Sequence, residues 1–291
     1  MFCHILFIFN SYDTFICKGK VIFVQNRSVG FIGAGNMASA IIKGLLKQGR
    51  YEAKDIFVYD IAQAKRQEMA KLGLSVLESG PQVAQASDML VLAIKPQQYA
   101  DVLETLRGYV KSSTVVVSIA AGISIAYVRN GLALDCPVVR AMPNTPLLLG
   151  QGATALCRSA GMAQEDFDAA AELFAASGDV AELTEDKMNA VISVNGSSPA
   201  YIYLFAKAMV DYAAGQGIPE EEALRLVCKT LEGSAAMLRS SGHTPGELID
   251  MVCSPGGTTL AAMQVLNDNH FADIVQKAMQ SCTTRAEELG K

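Results

Sequence analysis

The sequence has very little histidine, three residues in 291, and this scarcity limits the chemistry that it can support. His4, His243 and His270 are far apart, and no other ligand type lies at a metal-binding spacing from any of them. A metal centre is therefore not expected, since protein ligands of metals recur at short characteristic spacings. A Ser-His-Asp triad is equally unsupported, because no histidine has an evident partner.

An excess of positive charge and paired cysteines are also lacking. The chain has 24 Lys and Arg residues against 29 Asp and Glu, a formal net charge of −5, and its basic residues are scattered. This pattern predicts no surface for nucleic acid and none for a membrane. The seven cysteines are far apart and form no CxxC motif, which is typical of free thiols in a reducing compartment and predicts a cytoplasmic protein.

The first 28 residues differ in character from the rest. The apolar run over residues 5–9 is too short to span a bilayer, and the basic segment and small-residue cleavage site of a signal peptide are missing. We interpret residues 1–28 as an N-terminal extension outside the fold, or as the result of a start codon assigned too early. The alternative is a peripheral strand formed by "KVIFVQ".

Apolar residues make up 51% of the chain, and their pattern changes once along it. From Val29 to about residue 184, short strand-like runs such as "VGFIG", "DIFVYD" and "STVVVSIAA" alternate with helix-like segments. This alternation predicts an α/β Rossmann-type parallel sheet domain over residues 29–185. The remaining segments all read as helices, several of them apolar over more than one face, which predicts an all-α dimerisation domain over residues 186–291.

The stretch "VGFIGAGNMASA" has glycines placed as a dinucleotide-binding turn requires. Gly33 permits a tight turn after the first predicted strand, and Gly35 lets the backbone approach a pyrophosphate. The helix that follows presents its N-terminal N–H groups to that negative charge. The residues predicted to bind the cofactor here are Ile32, Gly33, Ala34, Gly35, Asn36 and Met37.

Asp60 ends the second predicted strand, twenty-five residues after Gly35, and bears on the choice of cofactor. A carboxylate there accepts hydrogen bonds from the ribose hydroxyls of NAD and repels a 2′-phosphate. Lys65 and Arg66 would attract that phosphate, although we favour their interpretation as a solvated helix face. These residues favour NADH, and both NADH and NADPH stay open.

Residues 254–259, "SPGGTT", stand directly before a predicted helix. Their backbone N–H groups could form an anion site, or Ser254, Thr258 or Thr259 could simply cap the helix. Two adjacent glycines favour a site for a small carboxylate, because a helix cap does not need their conformational freedom. Two other segments, "AIKP" and "AMPNTP", directly follow predicted strands, where ligands of α/β sheets bind.

Five segments together resemble the pyrroline-5-carboxylate reductase family: "VGFIGAGNMA", "SDMLVLAIKP", "VVRAMPNTP", "GSSPAY" and "VCSPGGTTLAAM". The resemblance runs in order from about Val29 to the C-terminus. It implies NAD(P)H-dependent reduction of Δ1-pyrroline-5-carboxylate to L-proline, the last step of proline biosynthesis. It also implies a homodimer, or a larger homo-oligomer built from dimers, in which the nicotinamide of one subunit faces the helical domain of its partner.

The resemblance also assigns roles to individual residues. Segments matching "AIKP" and "SIAAG" line the cofactor in the family, which implies contacts from Ala93, Ile94, Lys95, Pro96, Ala120 and Ala121. Thr259 is implied as the catalytic residue that hydrogen-bonds the ring nitrogen. The implied substrate-binding residues are Ser254, Gly256, Gly257, Thr258, Thr259 and Glu185, the last lying near both cofactor and substrate.

Two alternative functions stay open. A β-hydroxyacid dehydrogenase also combines a Rossmann domain with a helical domain, and Lys187 followed by Asn189 partly matches its lysine segment. A nucleotide-binding regulator without turnover is suggested by Asn195 and Ser198, which stand where the family usually has Ser and Gly.

Overall fold

The structure is a computed structural model that describes the backbone of residues 12–17 and 20–25 and all of residues 27–290. Its internal contacts divide the chain into two compact units. The first contains the described residues up to Gly196 together with those from Arg285 onward, and the second is Ser197–Thr284. Within these ranges no helix combines the length and the apolar character that crossing a membrane requires.

Two strands near the N-terminus form a sheet of their own. β1 (Tyr12–Cys17) pairs antiparallel with β2 (Lys20–Gln25), so the segment "KVIFVQ" does form a strand. This pair is separate from the main sheet. The rest of the predicted extension up to residue 26 lies outside the described residues.

The last two residues of the predicted extension belong to the first unit. Arg27 forms an ion pair with Asp166 at 2.6 Å. The backbone N–H and the hydroxyl of Ser28 both donate to the carboxylate of Asp88, each at 2.9 Å. These polar contacts attach the chain to the first unit before its first apolar run begins.

An eight-stranded sheet forms the centre of the first unit. Its strands are β3 (Val29–Ile32), β4 (Ile56–Tyr59), β5 (Ser75–Val76), β6 (Met89–Leu92), β7 (Val115–Ser118), β8 (Val138–Met142), β9 (Gly152–Arg158) and β10 (Gly178–Glu182). They lie in the order β10-β9-β8-β7-β6-β3-β4-β5. Every residue of β3, β6, β7 and β8 is buried, which explains why these strands are almost entirely apolar, apart from Ser118 and Arg140.

The sheet is not parallel throughout, and this differs from the prediction. β9 runs antiparallel to β8, and β10 then runs parallel to β9. The connection over residues 143–151 explains the reversal. A parallel crossover takes about a dozen residues or more, and this connection is shorter and contains only a 3₁₀ turn, Thr145–Leu149.

The helices of the first unit connect these strands and pack on the sheet. Ile41, Ile42 and Leu45 of the first helix are fully buried in the largest core cluster, beside Phe31 of β3. The helices are α1 (Asn36–Gln48), α2 (Gln63–Lys71), α3 (Gly80–Ala86), α4 (Tyr99–Leu106), α5 (Ile125–Leu132) and α6 (Gln164–Ala175).

The second unit is helical, as predicted. Its helices are α7 (Ser198–Gly215), α8 (Glu220–Ser240), α9 (Pro245–Val252), α10 (Thr258–Asp268) and α11 (Phe271–Leu289), whose last residues belong to the first unit. The predicted helical run after Thr258 is split in two, because His270 adopts a left-handed backbone with φ of 54°. The core of this unit is small and consists of Val210, Ala223 and Val227.

The segment between the last strand and α7 was predicted to be helical and is irregular. It contains a 3₁₀ turn at Glu185–Lys187 and a π-helical turn at Ile192–Gly196. Single π turns occur frequently at functional sites. The reason for this one lies in side-chain contacts that bind the segment to the sheet, described below.

Candidate active site

Four strands of the first unit end at the same edge of the sheet. Ile32 is paired with both Tyr59 and Leu92, and Leu92 is paired with Ser118. The chain leaves β3 for β4 on one side and reaches β6 on the other, so this edge is a topological switch point, where α/β sheets bind ligands. Residues 33–37, Asp60, 93–96 and 119–121 follow these four strand ends.

The glycine turn after β3 is tightly built. Gly33 has φ of 98°, a left-handed value that favours glycine, and its N–H donates to the Tyr59 carbonyl at 2.8 Å. A Cβ atom at Gly33 would lie 2.4 Å from the Ala93 carbonyl oxygen and 3.1 Å from Cγ2 of Ile94. The turn therefore needs glycine, and it brings the first predicted cofactor segment against the second.

The second glycine of the turn, Gly35, has open space beside it. Gly35 is the N-cap of α1, no side chain caps this helix, and a Cβ atom built on Gly35 would meet nothing within 4 Å. Asn36 and Met37 begin α1, so their N–H groups point out of its N-terminus. An open cradle at an uncapped helix start fits the pyrophosphate of a dinucleotide, because free N–H groups and the helix dipole both favour negative charge.

Asp60 lies beside this turn and is held from two sides. Its Oδ2 accepts a hydrogen bond from the Ala34 N–H at 2.7 Å, and its Oδ1 accepts one from the Ala62 N–H at 2.8 Å. The structure thus brings Asp60 together with the glycine turn, as the sequence predicts for a residue near the ribose.

The remaining residues predicted to contact the cofactor lie at the same edge. Ala93 donates its N–H to the Ile32 carbonyl at 2.8 Å, which fixes the start of the "AIKP" segment. Lys95 is exposed, and its backbone N–H donates to Oε1 of Gln98 at 3.2 Å, just before the 3₁₀ turn that begins at Pro96. Ala120 is buried and Ala121 is partly buried in the loop after β7.

Glu185 is engaged at the start of α5. Its Oε1 accepts a hydrogen bond from the Ile125 N–H at 2.8 Å and lies 4.0 Å from Nη1 of Arg140. Arg140 is 3% exposed, and its Nη2 donates to Oδ1 of Asn189 at 2.5 Å. Burial lowers the pKa of the Arg140 guanidinium below its ordinary value, and the nearby Glu185 opposes that shift.

Asn195 ties the π-helical turn to the sheet. Its Nδ2 donates to the carbonyl oxygens of Met142 at 2.7 Å and Ala153 at 2.8 Å. Oδ1 of Asn144 accepts the N–H of the same Ala153 at 3.0 Å. These contacts compete with regular helical hydrogen bonding and give the segment its irregular form.

The "SPGGTT" loop forms a compact turn in the second unit. Gly256 has φ of 71°, and the Gly257 N–H donates to the Ser254 carbonyl at 3.0 Å. Gly257 is the N-cap of α10, which begins at Thr258, and no side chain caps this helix. Neither serine nor threonine therefore acts as the cap that the sequence left open, and the loop presents uncapped N–H groups instead.

Thr259 lies on the first turn of α10 and is partly buried. It lines a groove of about 870 Å³ whose other walls are mostly apolar side chains of α8 and α9, such as Met237 and Ile249. The residues predicted to bind the nucleotide lie in the first compact unit, and the loop predicted to bind the substrate lies in the second.

Relatives of known identity match nearly the whole chain. Pyrroline-5-carboxylate reductase of Escherichia coli (strain K12) is 37% identical over 268 residues, which cover 92% of this chain and 100% of that protein. The chain belongs to the pyrroline-5-carboxylate reductase family. The reductase of Pseudomonas aeruginosa is 38% identical, with 90% of this chain and 97% of that protein covered.

Two family models match this reductase, and one of them begins where the sequence pattern changes. Residues 185–289 match the model described as pyrroline-5-carboxylate reductase dimerisation. Residues 28–122 match the model described as NADP oxidoreductase coenzyme F420-dependent. The predicted family and the predicted nucleotide-binding fold with a helical C-terminal part are confirmed.

Solved reductase structures have the same fold. The Plasmodium falciparum pyrroline carboxylate reductase with NADP bound has a TM-score of 0.84 at 28% identity, with 91% of this chain and 99% of that chain covered. The Coxiella burnetii reductase has a TM-score of 0.83 at 32% identity, with the same coverage. The dehydrogenase alternative receives no comparable support.

Sequence reasoning missed the contacts of the reductase's buried polar side chains. Arg140 holds Asn189 and faces Glu185, and Tyr99 donates its hydroxyl to the Leu92 carbonyl at 2.9 Å at the end of β6. An arginine in the middle of an otherwise apolar strand, "PVVRAMP", was a signal for the first of these. For Tyr99 we find no such signal in the sequence.

Proposed function

We propose that this chain catalyses the reduction of the imine of Δ1-pyrroline-5-carboxylate to L-proline, the last step of proline biosynthesis. The observation that carries the proposal is the family membership of a chain that retains an open glycine cradle at the sheet edge. Reduction adds a hydride to the carbon of the C=N bond and a proton to its nitrogen. The reduced nicotinamide of NADH or NADPH supplies the hydride when it is bound.

The first unit binds and orients the nucleotide in this proposal. Gly33 and Gly35 shape the turn, the N–H groups of Asn36 and Met37 face the pyrophosphate, and Asp60 accepts ribose hydroxyls. The "AIKP" and "SIAAG" segments contact the rest of the cofactor. We assign residues 29–185 to nucleotide binding and residues 186–291 to substrate binding and dimerisation, a division that the two family matches support.

The second unit holds the substrate carboxylate through the "SPGGTT" loop. The loop offers the N–H groups of Gly256 and Thr258 at the start of α10, while the Gly257 N–H closes the turn by donating to the Ser254 carbonyl. A Cβ atom at Gly257 would lie 2.5 Å from Oγ of Ser254, so any larger residue there would disturb this arrangement. The positive end of the helix dipole adds to the attraction for a carboxylate.

Thr259 is the residue that we place at the reacting nitrogen. Its hydroxyl hydrogen-bonds the ring nitrogen and fixes the C=N bond in the orientation that reduction requires. The imine is electrophilic once its nitrogen is protonated, so the chain needs no strong acid of its own. Glu185 contributes by fixing the start of α5 next to the loop of Ala120 and Ala121.

The enzyme acts as a homo-oligomer, and we propose a dimer or a ring of dimers. Large apolar side chains of the second unit are exposed on the single chain, among them Leu204 of α7, Val265 of α10 and Ile274 of α11. A second copy that covers them would remove this surface from water. We place the enzyme in the cytoplasm, since the cysteines whose side chains the structure describes are free thiols.

The test follows the loss of reduced nicotinamide absorbance when purified protein, Δ1-pyrroline-5-carboxylate and either NADH or NADPH are combined. Imine-dependent oxidation of either nucleotide is the expected result. Nucleotide binding without oxidation would instead favour a regulator without turnover.

Variants at Thr259 test the assigned role. Thr259→Val should lower kcat by roughly ten- to a hundredfold, the usual effect of losing a hydrogen bond to a charged group. Thr259→Ser keeps a hydroxyl and should retain most of the parental kcat. Thr283→Val is the matched control, because that hydroxyl bonds the Met279 carbonyl in its own helix. Parental turnover in Thr259→Val would remove Thr259 from the mechanism.

A further inference from the structure

The carboxylate of Asp60 is fixed in place before any ligand arrives. One oxygen accepts the Ala34 N–H at 2.7 Å inside the glycine turn, and the other accepts the Ala62 N–H at 2.8 Å just after the strand. Rotation of the side chain would leave both N–H groups without these bonds. Each carboxylate oxygen still has a second lone pair, so Asp60 can accept ribose hydroxyls without moving.

Arg66 hydrogen-bonds the backbone at the end of the same strand. Its Nη1 donates to the backbone carbonyls of Asp60 at 2.6 Å and Ile61 at 3.3 Å, and its guanidinium lies 5.9 Å from the centre of the Tyr59 ring. These contacts hold the guanidinium against the backbone that precedes α2. Arg66 would have to give up part of this arrangement to surround a phosphate group.

Lys65 forms an ion pair with a neighbour on the same helix. Its Nζ donates to Oε2 of Glu68 at 2.8 Å, one turn further along α2. An exposed pair of this kind is weak, but Glu68 reduces the net positive charge that this face of α2 presents to a ligand. Both cations that could receive a 2′-phosphate therefore have partners within the chain, and the carboxylate of Asp60 lies beside them.

The geometry points to Asp60 as the residue that makes this reductase select NADH over NADPH, an inference that rests on the proposed function. A 2′-phosphate would bring up to two further negative charges next to a carboxylate that cannot turn away. NADH avoids that repulsion and offers its ribose hydroxyls as donors to the carboxylate. The solved Plasmodium falciparum relative has NADP bound, so a preference for NADH would distinguish this chain from a relative that accepts the phosphorylated form.

The test measures binding, so it does not depend on turnover. Titration calorimetry with the wild-type protein compares NADH with NADPH, and ADP-ribose with its 2′-phosphorylated form. We expect the nucleotides without the 2′-phosphate to bind tighter by roughly ten- to a hundredfold. Equal affinities, or tighter binding of the phosphorylated forms, would overturn the inference even if the reductase activity is present.

Two variants test whether Asp60 causes the preference for NADH. Asp60→Asn keeps the shape and removes the charge, and it should narrow the NADH preference by about tenfold or more. Asp55→Asn removes one charge at the opposite end of the same strand, in the turn Ala53–Asp55, and should leave the preference unchanged. An unchanged preference in Asp60→Asn would overturn the assignment.

Arg66→Ala tests the opposite possibility, that Arg66 binds the 2′-phosphate and makes the enzyme prefer NADPH. If Arg66 swings out to bind the 2′-phosphate, the wild-type protein will prefer NADPH and Arg66→Ala will lose that preference, which contradicts the inference. Under our assignment Arg66→Ala changes the ratio of the two affinities by less than about threefold, because Arg66 is not a phosphate ligand. The wild-type titration alone decides the question if a variant fails to fold.

Discussion

The two compact units of this chain bury their apolar side chains to very different degrees. In the first unit, whole strands are buried on both faces, and Phe31 and Ile41 are 0% exposed. In the second, Leu204 and Tyr212 of the same helix are 70% and 71% exposed, and within Ser197–Thr284 the core cluster holds three buried residues. A helix apolar over several faces is a buried helix. The first unit is therefore complete within one chain, whereas the second needs a second copy.

The difference matters for function because the two units carry different parts of the chemistry. The cradle that we assign to the nucleotide is built from backbone and from Asp60, and it follows strands that are buried in a complete core. The loop that we propose for the substrate begins α10, a helix without a buried residue. We therefore expect nucleotide binding to survive changes that abolish turnover through loss of assembly.

The largest effect should come from a charge on the exposed apolar surface of the second unit. Leu204→Glu places a carboxylate where a second copy would bury it, at a cost of several kcal/mol. We expect loss of the oligomer and of turnover, with nucleotide binding retained, measured by light scattering and titration. Gln216→Glu, near the exposed end of the same helix, is the control. An intact oligomer in Leu204→Glu would show that this surface is not the interface.

A core substitution in the first unit should also destabilise the protein strongly, but without changing how its stability depends on protein concentration. Phe31→Ala removes a fully buried ring and should lower the free energy of unfolding by about 3–5 kcal/mol. The resulting shift in melting temperature should not depend on protein concentration. Phe205→Ala, whose ring lies 6.4 Å from that of Phe271 in the second unit, should give a concentration-dependent shift instead. Thermal denaturation over a range of protein concentrations distinguishes the two.

Alkaline pH should weaken the first unit through Cys157. Burial, aided by Glu185 and opposed by Arg140, raises the pKa of this thiol to about 11. A raised pKa stabilises the fold below the ordinary thiol value of 9.0, and this stability is lost as pH rises towards about 11, a loss of about 2 kcal/mol. Denaturant titrations of wild type and Cys157→Ala should therefore converge as the pH is raised. A constant gap would contradict the shift.

The smallest change in stability should come from Gly35→Ala. The added methyl group meets nothing within 4 Å, so the free energy of unfolding should change by less than about 0.5 kcal/mol. Nucleotide affinity should nevertheless fall by about tenfold or more, because the methyl group occupies the cradle. Calorimetric titration with NADH measures this affinity, and Gly215→Ala is the control, because Gly215 also lacks a left-handed backbone and has no atom within 4 Å of its Cβ position. Unchanged affinity in Gly35→Ala would move the pyrophosphate away from this turn.

Strand positions could be predicted because burial on both faces produces apolar runs, as in β3 and β6. The glycine turn was equally predictable, since the left-handed backbone of Gly33 restricts the residue type. The reversed direction of β9 was not predicted, because alternating patterns carry no direction. The length of its connection decides that direction.

The irregular segment before α7 shows why local patterns fail. Its apolar residues suggested a helix, but Asn195 bonds two sheet carbonyls that lie 42 and 53 residues away in sequence. The contact of Glu185 with α5 spans 60 residues in the same way. Side chains that hydrogen-bond backbone groups far away in sequence leave no periodic pattern. The sequence alone could therefore show only that such polar residues stand in an otherwise apolar segment, without showing their partners.

The most direct test of this account is the mass of the native protein in solution, measured by sedimentation at the concentration used for imine-dependent turnover. Because the second unit needs a partner, an active enzyme should sediment as an even multiple of the chain mass. A monomer that turns over at full rate would contradict the account, since it would show that one chain completes the substrate site alone.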